Sequence, residues 1–255
     1  MTSATRTRQR VIILGALSTI AEALARRLAA SGCDMVIAGR GSDRLEQVAS
    51  DLKLRGAVNV IPWTVDFASS ADAKRELDAM TKALGGGVDV IVVAYGVLGD
   101  QQGAQADQSE FDKIIEVNFS SAARWCEAAA ATLEAQSRGT LLAISSVAGD
   151  RGRQSNYVYG AAKAGLTTLM EGIAHRLARK GARAVVAKLG FVDTAMTAHI
   201  AKGGLLWAKS DDVARRLQRV LMRSGPTVVY IPWFWRPIMT IIRNVPSGLF
   251  HRTKL

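Results

Sequence analysis

The sequence predicts an α/β domain built on a doubly wound, parallel sheet of about seven strands, with helices on both faces. Three observations predict this fold class. Short β-branched runs alternate with longer segments of helical periodicity. The strand segments are apolar throughout rather than alternating, as expected for strands that are covered on both faces. No long linker, internal repeat or low-complexity tract divides the 255 residues, so the repeated β-α-β pattern indicates one domain.

The elements follow one another in regular alternation. The predicted strands are Arg10–Leu14, Asp34–Ala38, Val58–Val65, Val88–Ala94, Gly139–Ser145, Ala182–Leu189 and Thr227–Ile231. The predicted helices are Ile20–Ala30, Asp43–Leu54, Ala71–Leu84, Asp112–Gln136, Tyr157–Arg179 and Ser210–Arg223. We therefore expect a Rossmann-type domain over residues 1–232, followed by a basic, tryptophan-rich, amphipathic tail over residues 233–255.

Composition excludes several classes of protein. Two cysteines and three scattered histidines are too few for a disulfide framework or a zinc site, and we expect no metal. The net charge is +11, of which residues 1–10 carry +3 and residues 202–255 carry +8. A nucleic-acid-binding fold would carry positive charge on the fold itself, so we expect no nucleic-acid partner. A neutral body resting on an anionic membrane surface explains the pattern, as does plain solubility.

The N-terminus imitates a secretory signal, because Arg6, Arg8 and Arg10 precede the uncharged run 11–21. That run is shorter than the ~20 residues that a membrane-spanning helix needs. It is better interpreted as a first strand followed by a glycine turn. We therefore expect a cytoplasmic protein.

The segment after the first predicted strand has the position of a dinucleotide-binding turn. Such a turn must be tight, and the helix that follows must point its free N–H groups at the pyrophosphate. Of the usual three glycines only Gly15 is present, so a generic strand-to-helix turn is the alternative. The residues expected to bind the cofactor here are Gly15, Leu17, Ser18, Thr19 and Ile20.

The end of the second predicted strand is where such folds recognise the adenosine ribose. No carboxylate stands there to accept a hydrogen bond from the 2′-hydroxyl of NAD, and Arg40 follows Gly39 instead. An arginine suits the 2′-phosphate of NADP, so NADP(H) is favoured over NAD(H). An arginine that stacks on adenine and tolerates either cofactor is the alternative.

Tyr159 and Lys163 lie four residues apart on a predicted helix, and therefore on one face. A free tyrosine has a pKa of ~10, and a neighbouring ammonium favours the phenolate. The spacing thus predicts a phenol with a lowered pKa, suited to proton transfer. Ser146, next to the fifth predicted strand, has a hydroxyl placed to hold a substrate carbonyl oxygen.

With these residues in this order, the chain resembles the short-chain dehydrogenase/reductase family over nearly its whole length. The resemblance implies a catalytic tetrad of Asn118, Ser146, Tyr159 and Lys163. In that family the tyrosine protonates the carbonyl oxygen, the serine orients it, the lysine binds the nicotinamide ribose and tunes the tyrosine, and the asparagine positions a water. The implied activity is NAD(P)H-dependent reduction of a ketone. A non-catalytic, membrane-associated binding protein on the same fold is the alternative.

The same resemblance implies further cofactor contacts at the ends of the third, fourth and sixth strands. Two of these places depart from the family, since the usual Asn-Asn-Ala-Gly reads Ala94-Tyr95-Gly96, which loses the asparagine, and Leu189 replaces a proline. Tyr159 and Lys163 belong to the cofactor set as well. The other implied residues are Asp66, Phe67, Ala94, Tyr95, Gly96, Gly190, Val192 and Thr194. The family also implies a homo-oligomer, a dimer or tetramer formed through the long helices.

Three segments, 95–100, 150–153 and 232–236, give a narrower resemblance to the decaprenylphosphoryl-2-keto-erythro-pentose reductases of that family. That group reduces a 2-keto sugar on a polyprenyl phosphate, which a flavin-dependent oxidase supplies. It implies a lipid-linked ketone as substrate and such an oxidase as partner, with a 3-ketoacyl or sphingoid ketone as the alternative. Arg151 and Arg153 are either ligands of a substrate phosphate or solvated loop charges.

The predicted tail has the composition of a helix that lies in a membrane surface. Trp233 and Trp235 precede an apolar stripe at helical spacing, with arginines beside it. The stripe consists of Ile238, Ile241, Ile242, Val245 and Leu249. We expect peripheral association with the inner face of the cell membrane. A terminal helix whose stripe packs on the domain or on a second subunit is the alternative.

Overall fold

The computed structural model describes residues 8–69, 72–198 and 203–253. Arg6, Ala71 and the last two residues of the predicted tail lie outside these ranges. The strands within them are β1 (Arg10–Leu14), β2 (Asp34–Gly39), β3 (Asn59–Thr64), β4 (Val90–Val93), β5 (Thr140–Ser146), β6 (Arg183–Leu189), β7 (Phe191–Asp193), β8 (Trp207–Lys209) and β9 (Val228–Ile231).

Helices connect these strands on both sides of the sheet. They are α1 (Thr19–Ala29), α2 (Ser42–Leu54), α3 (Ala73–Ala83), α4 (Gln101–Ala106), α5 (Gln108–Ile115), α6 (Ser121–Ala135), α7 (Tyr157–Leu177), α8 (Ser210–Met222), α9 (Trp235–Asn244) and α10 (Ser247–Phe250). A π-helical turn, Glu116–Ser120, joins α5 to α6, and 3-10 turns span Val147–Asp150 and Ala195–Thr197.

Seven strands form one parallel sheet in the order β3-β2-β1-β4-β5-β6-β9, which confirms the predicted fold class. β1 pairs with both β2 and β4, so the strand order reverses beside β1. A crevice forms at the carboxyl ends of the strands where such a reversal occurs. Pro62 lies in β3, an edge strand, where a missing N–H is tolerated. The short pair β7 and β8 forms a second small sheet that was not predicted.

Two apolar cores lie on the two faces of the sheet. Alternate residues of β1 point to opposite sides, with Ile13 against α1, α2 and α8, and Ile12 against α3, α6 and α7. Both side chains are fully buried. This is why the strands are apolar at every position rather than at every second one.

The predicted helix Asp112–Gln136 is interrupted by the π-helical turn around Asn118. The buried Asn118 side chain donates from Nδ2 to the carbonyl oxygen of Ile114, four residues earlier, at 2.9 Å. This side-chain bond takes the carbonyl that an α-helix would give to a backbone N–H, and a π turn accommodates the change. The single uninterrupted helix was therefore wrong at this point.

The tail helix α9 packs against the turn Val147–Asp150 and β9. Trp235 and Met239 are buried there with Val147, and Ile238 and Ile242 pack beside them. The predicted stripe is thus divided between two faces, with Ile238 and Ile242 toward the domain and Ile241 exposed. None of the described helices is long and apolar enough to cross a membrane.

Arg151 takes neither of its two predicted roles. Its Nη1 donates to the carbonyl oxygens of Ile242 at 2.6 Å and Val245 at 2.7 Å, at the C-terminus of α9. Its guanidinium carbon lies 3.8 Å from the centre of the Phe250 ring. A cation at a helix C-terminus satisfies the unpaired carbonyls and interacts favourably with the helix dipole. Arg151 therefore fastens α9 to the loop that follows β5.

Candidate active site

A cavity of about 1010 Å³ opens at the carboxyl ends of the central strands. It runs from the start of α1, past the ends of β4 and β5, to the segment that follows β6. The predicted site residues that line it are Leu17, Ser18, Thr19, Ile20, Ala94, Tyr95, Gly96, Ser146, Tyr159, Lys163, Gly190, Val192 and Thr194. The fold thus brings segments from most of the chain to one place.

Five predicted residues do not line this cavity, namely Gly15, Arg40, Asp66, Phe67 and Asn118. Arg40 is exposed at the end of β2. The Asp66 carboxylate accepts a hydrogen bond from the Ala68 N–H at 3.2 Å. The Phe67 ring is buried and stacks on the Tyr95 ring, with the centroids 4.4 Å apart. Tyr95 therefore contributes a core side chain as well as part of the cavity wall.

The turn between β1 and α1 is as tight as a dinucleotide requires. The N–H groups of Gly15 and Ala16 both donate to the Ala38 carbonyl at 3.0 Å. Gly15 has φ +87°, and a Cβ there would approach the Tyr95 nitrogen to 2.7 Å, so only glycine fits. The first N–H groups of α1 have no partner within the helix and carry its positive dipole end. These residues fit a pyrophosphate group.

Ser146, Tyr159 and Lys163 meet on the cavity wall. Ser146 ends β5, and its Oγ accepts from the Ala148 N–H at 3.1 Å. Tyr159 and Lys163 lie on successive turns of α7, with the Lys163 Nζ 5.7 Å from the centre of the Tyr159 ring. The Lys163 Nζ donates to the Ile144 carbonyl of β5 at 3.3 Å.

Burial shifts the pKa values of Tyr159 and Lys163 in opposite directions. Burial raises the pKa of Tyr159 to about 12, and a hydrogen bond with the Ser146 hydroxyl opposes this rise. It lowers the pKa of Lys163 to about 8, because the charged form is penalised away from water. The expected lowering of the tyrosine pKa by the ammonium is therefore not met in this structure. At neutral pH the phenol keeps its proton, which is the form that can donate one.

Asn118 lies behind the cavity wall rather than on it. Its Oδ1 accepts from the Val97 N–H at 3.2 Å, and its Nδ2 donates to the Val97 carbonyl at 2.8 Å. A Cβ on Gly96 would come within 2.7 Å of the Asn118 Oδ1 and 3.3 Å of the Lys163 Nζ. Gly96 therefore lets both side chains approach one point of the backbone, and Asn118 fixes the loop after β4.

The tail supplies a residue that the sequence interpretation placed elsewhere. A Cβ on Gly190 would fall inside the Trp235 indole, so that ring lies directly against the cavity segment after β6. Its ring also meets the Phe191 ring edge-on, with the centroids 5.5 Å apart. The spacing of Trp235, Met239 and Ile242 at i, i+4 and i+7 is a signal for this buried face.

The cavity also includes Gln101, Arg153 and Asn156, of which only Arg153 was considered from the sequence. Gln101 begins α4, and Asn156 immediately precedes α7. Single amides at the start of a helix have no periodicity or spacing that predicts a site.

Three features together define a dinucleotide-dependent oxidoreductase. They are the parallel sheet, the glycine turn after β1, and the cavity lined by a serine, a tyrosine and a lysine. The family model described as short chain dehydrogenase matches residues 9–204. An uncharacterized oxidoreductase of Mycobacterium tuberculosis is 37% identical over 242 residues, which cover 95% of this chain and 96% of that protein. The chain belongs to the short-chain dehydrogenase/reductase family.

Solved structures show the same fold. An alcohol dehydrogenase from the archaeon Thermococcus sibiricus, complexed with 5-hydroxy-NADP, has a TM-score of 0.77 at 23% identity and covers 88% of this chain and 95% of its own. A short chain dehydrogenase from Mycobacterium paratuberculosis, bound to NAD, has a TM-score of 0.73 at 21% identity, covering 84% and 90%. At these identities the likeness confirms the architecture.

Proposed function

We propose that the protein is an NAD(P)H-dependent ketoreductase that converts a ketone to a secondary alcohol. The observation that carries this proposal is the meeting of Ser146, Tyr159 and Lys163 on the wall of a cavity that begins at the glycine turn. When bound, the nicotinamide cofactor supplies the hydride. The segments 17–20 and 190–194 are the parts of this chain that would hold it.

The remaining chemistry belongs to side chains. The Ser146 hydroxyl donates a hydrogen bond to the substrate carbonyl oxygen and orients it. Tyr159, with a pKa raised to about 12 by burial, gives its Oη proton to that oxygen as negative charge develops there. The Lys163 ammonium stabilises the phenolate that remains, and the same side chain would help to hold the ribose of the cofactor. Asn118 keeps the loop after β4 in position through its bonds to Val97.

The Tyr159→Phe variant tests the proposal. Loss of a positioned general acid costs typically 10²–10⁴-fold in rate, so we expect ketone-dependent NAD(P)H oxidation to fall by at least ~100-fold while cofactor affinity changes less than about twofold. Tyr157→Phe is the matched control, because that ring lies two residues away and is 42% exposed. Normal turnover by Tyr159→Phe would refute the assignment. If the wild-type protein binds NAD(P)H but does not oxidise it in the presence of any ketone, the result would favour the alternative of a non-catalytic binding protein.

We further propose that NADP(H) is preferred over NAD(H). Support comes from the exposed Arg40 at the end of β2, with no carboxylate at that position. A guanidinium that binds the 2′-phosphate raises affinity for NADPH alone. Arg40→Ala should therefore weaken NADPH binding by roughly tenfold and leave NADH binding nearly unchanged. Equal losses for both cofactors would indicate stacking on adenine.

For the substrate we propose a polyprenylphosphoryl 2-keto pentose, on the narrower resemblance of three segments and on a cavity with room for a large ligand. The direct assay couples the chain to a flavin-dependent oxidase acting on a polyprenylphosphoryl pentose and follows the nicotinamide absorbance. Reduction of 3-ketoacyl or sphingoid ketones in preference to this product would replace the substrate assignment.

We also propose a dimer or tetramer formed through the long helices α6 and α7. Light scattering of the protein as it elutes from a size-exclusion column would measure its mass.

A peripheral membrane role, at the inner face of the cell membrane, rests on the outer side of the tail. Trp233, Ile241 and Leu249 are 66%, 69% and 59% exposed, and arginines lie among them. Such residues insert into headgroups and attract anionic lipid. Deleting the tail would uncover Val147, so the sharper test is a triple Trp233→Ser, Ile241→Ser, Leu249→Ser variant. It should no longer sediment with anionic liposomes, and unchanged sedimentation would exclude this surface.

A further inference from the structure

Three buried polar groups in the cavity lining have no hydrogen-bond partner among the residues that the structure describes. They are the Nε2 of Gln101, the Nε of Arg153 and the Oδ1 of Asn156. Native proteins leave few such groups unpaired, and a cluster of them calls for an explanation. The three come from α4, the loop after β5 and the residue before α7, so they surround the first turn of the helix that carries Tyr159.

The pairing around this turn shows how two amides become available. Asparagine at a helix N-cap ordinarily accepts a bond from the first turn of the helix, but Asn156 makes no such bond. The Oε1 of Gln101 takes that place and accepts from the Val158 N–H at 3.0 Å. This contact fixes the orientation of the Gln101 amide, so its NH₂ group and the Asn156 oxygen both remain free for a ligand.

Arg153 supplies a positive charge that is only partly compensated, because the Asp150 carboxylate attracts it less strongly than burial penalises it. No ion pair or side-chain hydrogen bond joins its guanidinium to the described residues, and burial lowers its pKa. Two acidic residues of this region are already engaged with other partners. Asp100 lines the cavity but accepts from the N–H groups of Gln102 and Gly103. Asp150 forms an ion pair with Lys188 and accepts from the Tyr230 hydroxyl.

We propose that Gln101, Arg153 and Asn156 form a subsite for an anionic group, chemically a phosphate, carried by the ketone substrate. The inference rests on the proposed ketoreductase function, because it places a second point of substrate binding beside Tyr159. Two donors, one of them charged, match two oxygens of a phosphate. The Asn156 oxygen accepts from a hydroxyl of the same molecule. The preferred substrates are therefore hydroxylated ketones that carry a phosphate, either as a small monoester or as the diester of a lipid-linked sugar.

Binding to the cofactor-saturated protein tests the subsite without requiring turnover. The probes are dihydroxyacetone phosphate, dihydroxyacetone and an alkyl phosphodiester of dihydroxyacetone, each titrated calorimetrically in the presence of saturating NADP⁺. The wild type should bind a phosphorylated probe at least ~10-fold more tightly than dihydroxyacetone, as expected for a charge-assisted hydrogen bond. Tight binding of the diester would indicate a lipid-linked substrate, and tight binding of the monoester alone a small phosphorylated ketone.

Three substitutions locate the effect. Arg153→Gln should abolish the preference for the phosphorylated probe and change the affinity for dihydroxyacetone by less than about twofold. Arg153→Lys should keep part of the preference for the phosphorylated probe. Gln101→Glu preserves the oxygen that accepts from Val158 and puts a negative charge in the subsite, so it should weaken phosphate binding without unfolding α7. Arg179→Gln removes the same charge at an exposed position outside the cavity and should change nothing.

Equal wild-type affinity for all three probes, or an Arg153→Gln variant that retains the preference, would overturn the subsite. Its failure is distinct from that of the proposed function. A protein that reduces neutral ketones yet ignores the phosphate refutes only the subsite. A protein that binds the phosphorylated probe through Arg153 yet never oxidises NAD(P)H supports the subsite and refutes the ketoreductase.

Discussion

The buried Lys163 gives a quantitative prediction that separates stability from activity. Its side chain is 4% exposed, and burial lowers its pKa from 10.5 to about 8. A shift of this size corresponds to roughly 3 kcal/mol by which the folded state disfavours the ammonium at neutral pH. Lys163→Met removes that charge and keeps the length of the side chain. It also loses the bond from Nζ to the Ile144 carbonyl, which contributes about 1 kcal/mol.

The net expectation at pH 7 is that Lys163→Met raises the free energy of unfolding by about 2 kcal/mol and abolishes turnover. The free energy of unfolding of the wild type should rise with pH, because the folded state loses the Lys163 proton at a lower pH than the unfolded state. Below pH 8 both states of the wild type hold the proton, and the folded state bears the full cost of the buried charge. Between about 8 and 10.5 only the unfolded state stays protonated, so the wild type gains stability as pH rises. The advantage of the variant should therefore be close to zero at pH 10.

Urea unfolding of the cofactor-free protein at pH 7 and pH 10, followed by tryptophan fluorescence, measures both values. Lys53→Met is the control, because it removes a lysine from an exposed position of α2 and should stay within ~0.5 kcal/mol of the wild type. A Lys163→Met protein that is less stable than the wild type at pH 7, by an amount that does not change at pH 10, would refute the reasoning.

Two further predictions concern the tail. Gly190→Ala places a Cβ inside the Trp235 ring, so it should destabilise the fold by ~1–3 kcal/mol and reduce turnover, and Trp235→Leu in the same chain should recover part of both losses. Gly172→Ala, which meets no neighbour within 4 Å, is the control for urea unfolding, and additive effects of the first two changes would contradict the contact. Arg151→Met removes the bonds to the end of α9 and should lower unfolding stability by about 1–2 kcal/mol. Hydrogen exchange should then accelerate in residues 235–245 first, and unchanged exchange there would count against the anchoring role.

The alternation of strands and helices, and the segments expected to form the site, followed from local patterns. Apolar runs such as Val11–Leu14 predict strands covered on both sides, and their alternation with helical segments leaves few possible topologies. Residues at the ends of parallel strands must meet at one edge of the sheet. The position of Ser146 beside the fifth strand and the four-residue spacing of Tyr159 and Lys163 predict these three residues from the sequence, and all three line one cavity.

The errors arose where a side chain has two partners that are distant in sequence. Arg151 and Ile242 are separated by 91 positions, and no local pattern shows that they hydrogen-bond. The π turn accompanies the bond from the Asn118 side chain to Ile114, and the same amide also bonds to Val97, which lies on another strand connection. The pKa of Tyr159 depends on how many protein atoms surround the phenol, and the spacing to Lys163 contains no information on that burial.

The amino-acid sequence by itself determined the α/β class and the succession of strands and helices, and it supplied the residues proposed to transfer a proton, because these depend on periodicity and on side-chain chemistry. Tertiary structure alone decided that Trp235 lies against Gly190, that Arg151 bonds to the end of α9, and that Gln101 rather than Asn156 accepts from the Val158 N–H. Those outcomes depend on close packing and on which buried polar groups find partners, and both are set by residues far apart along the chain.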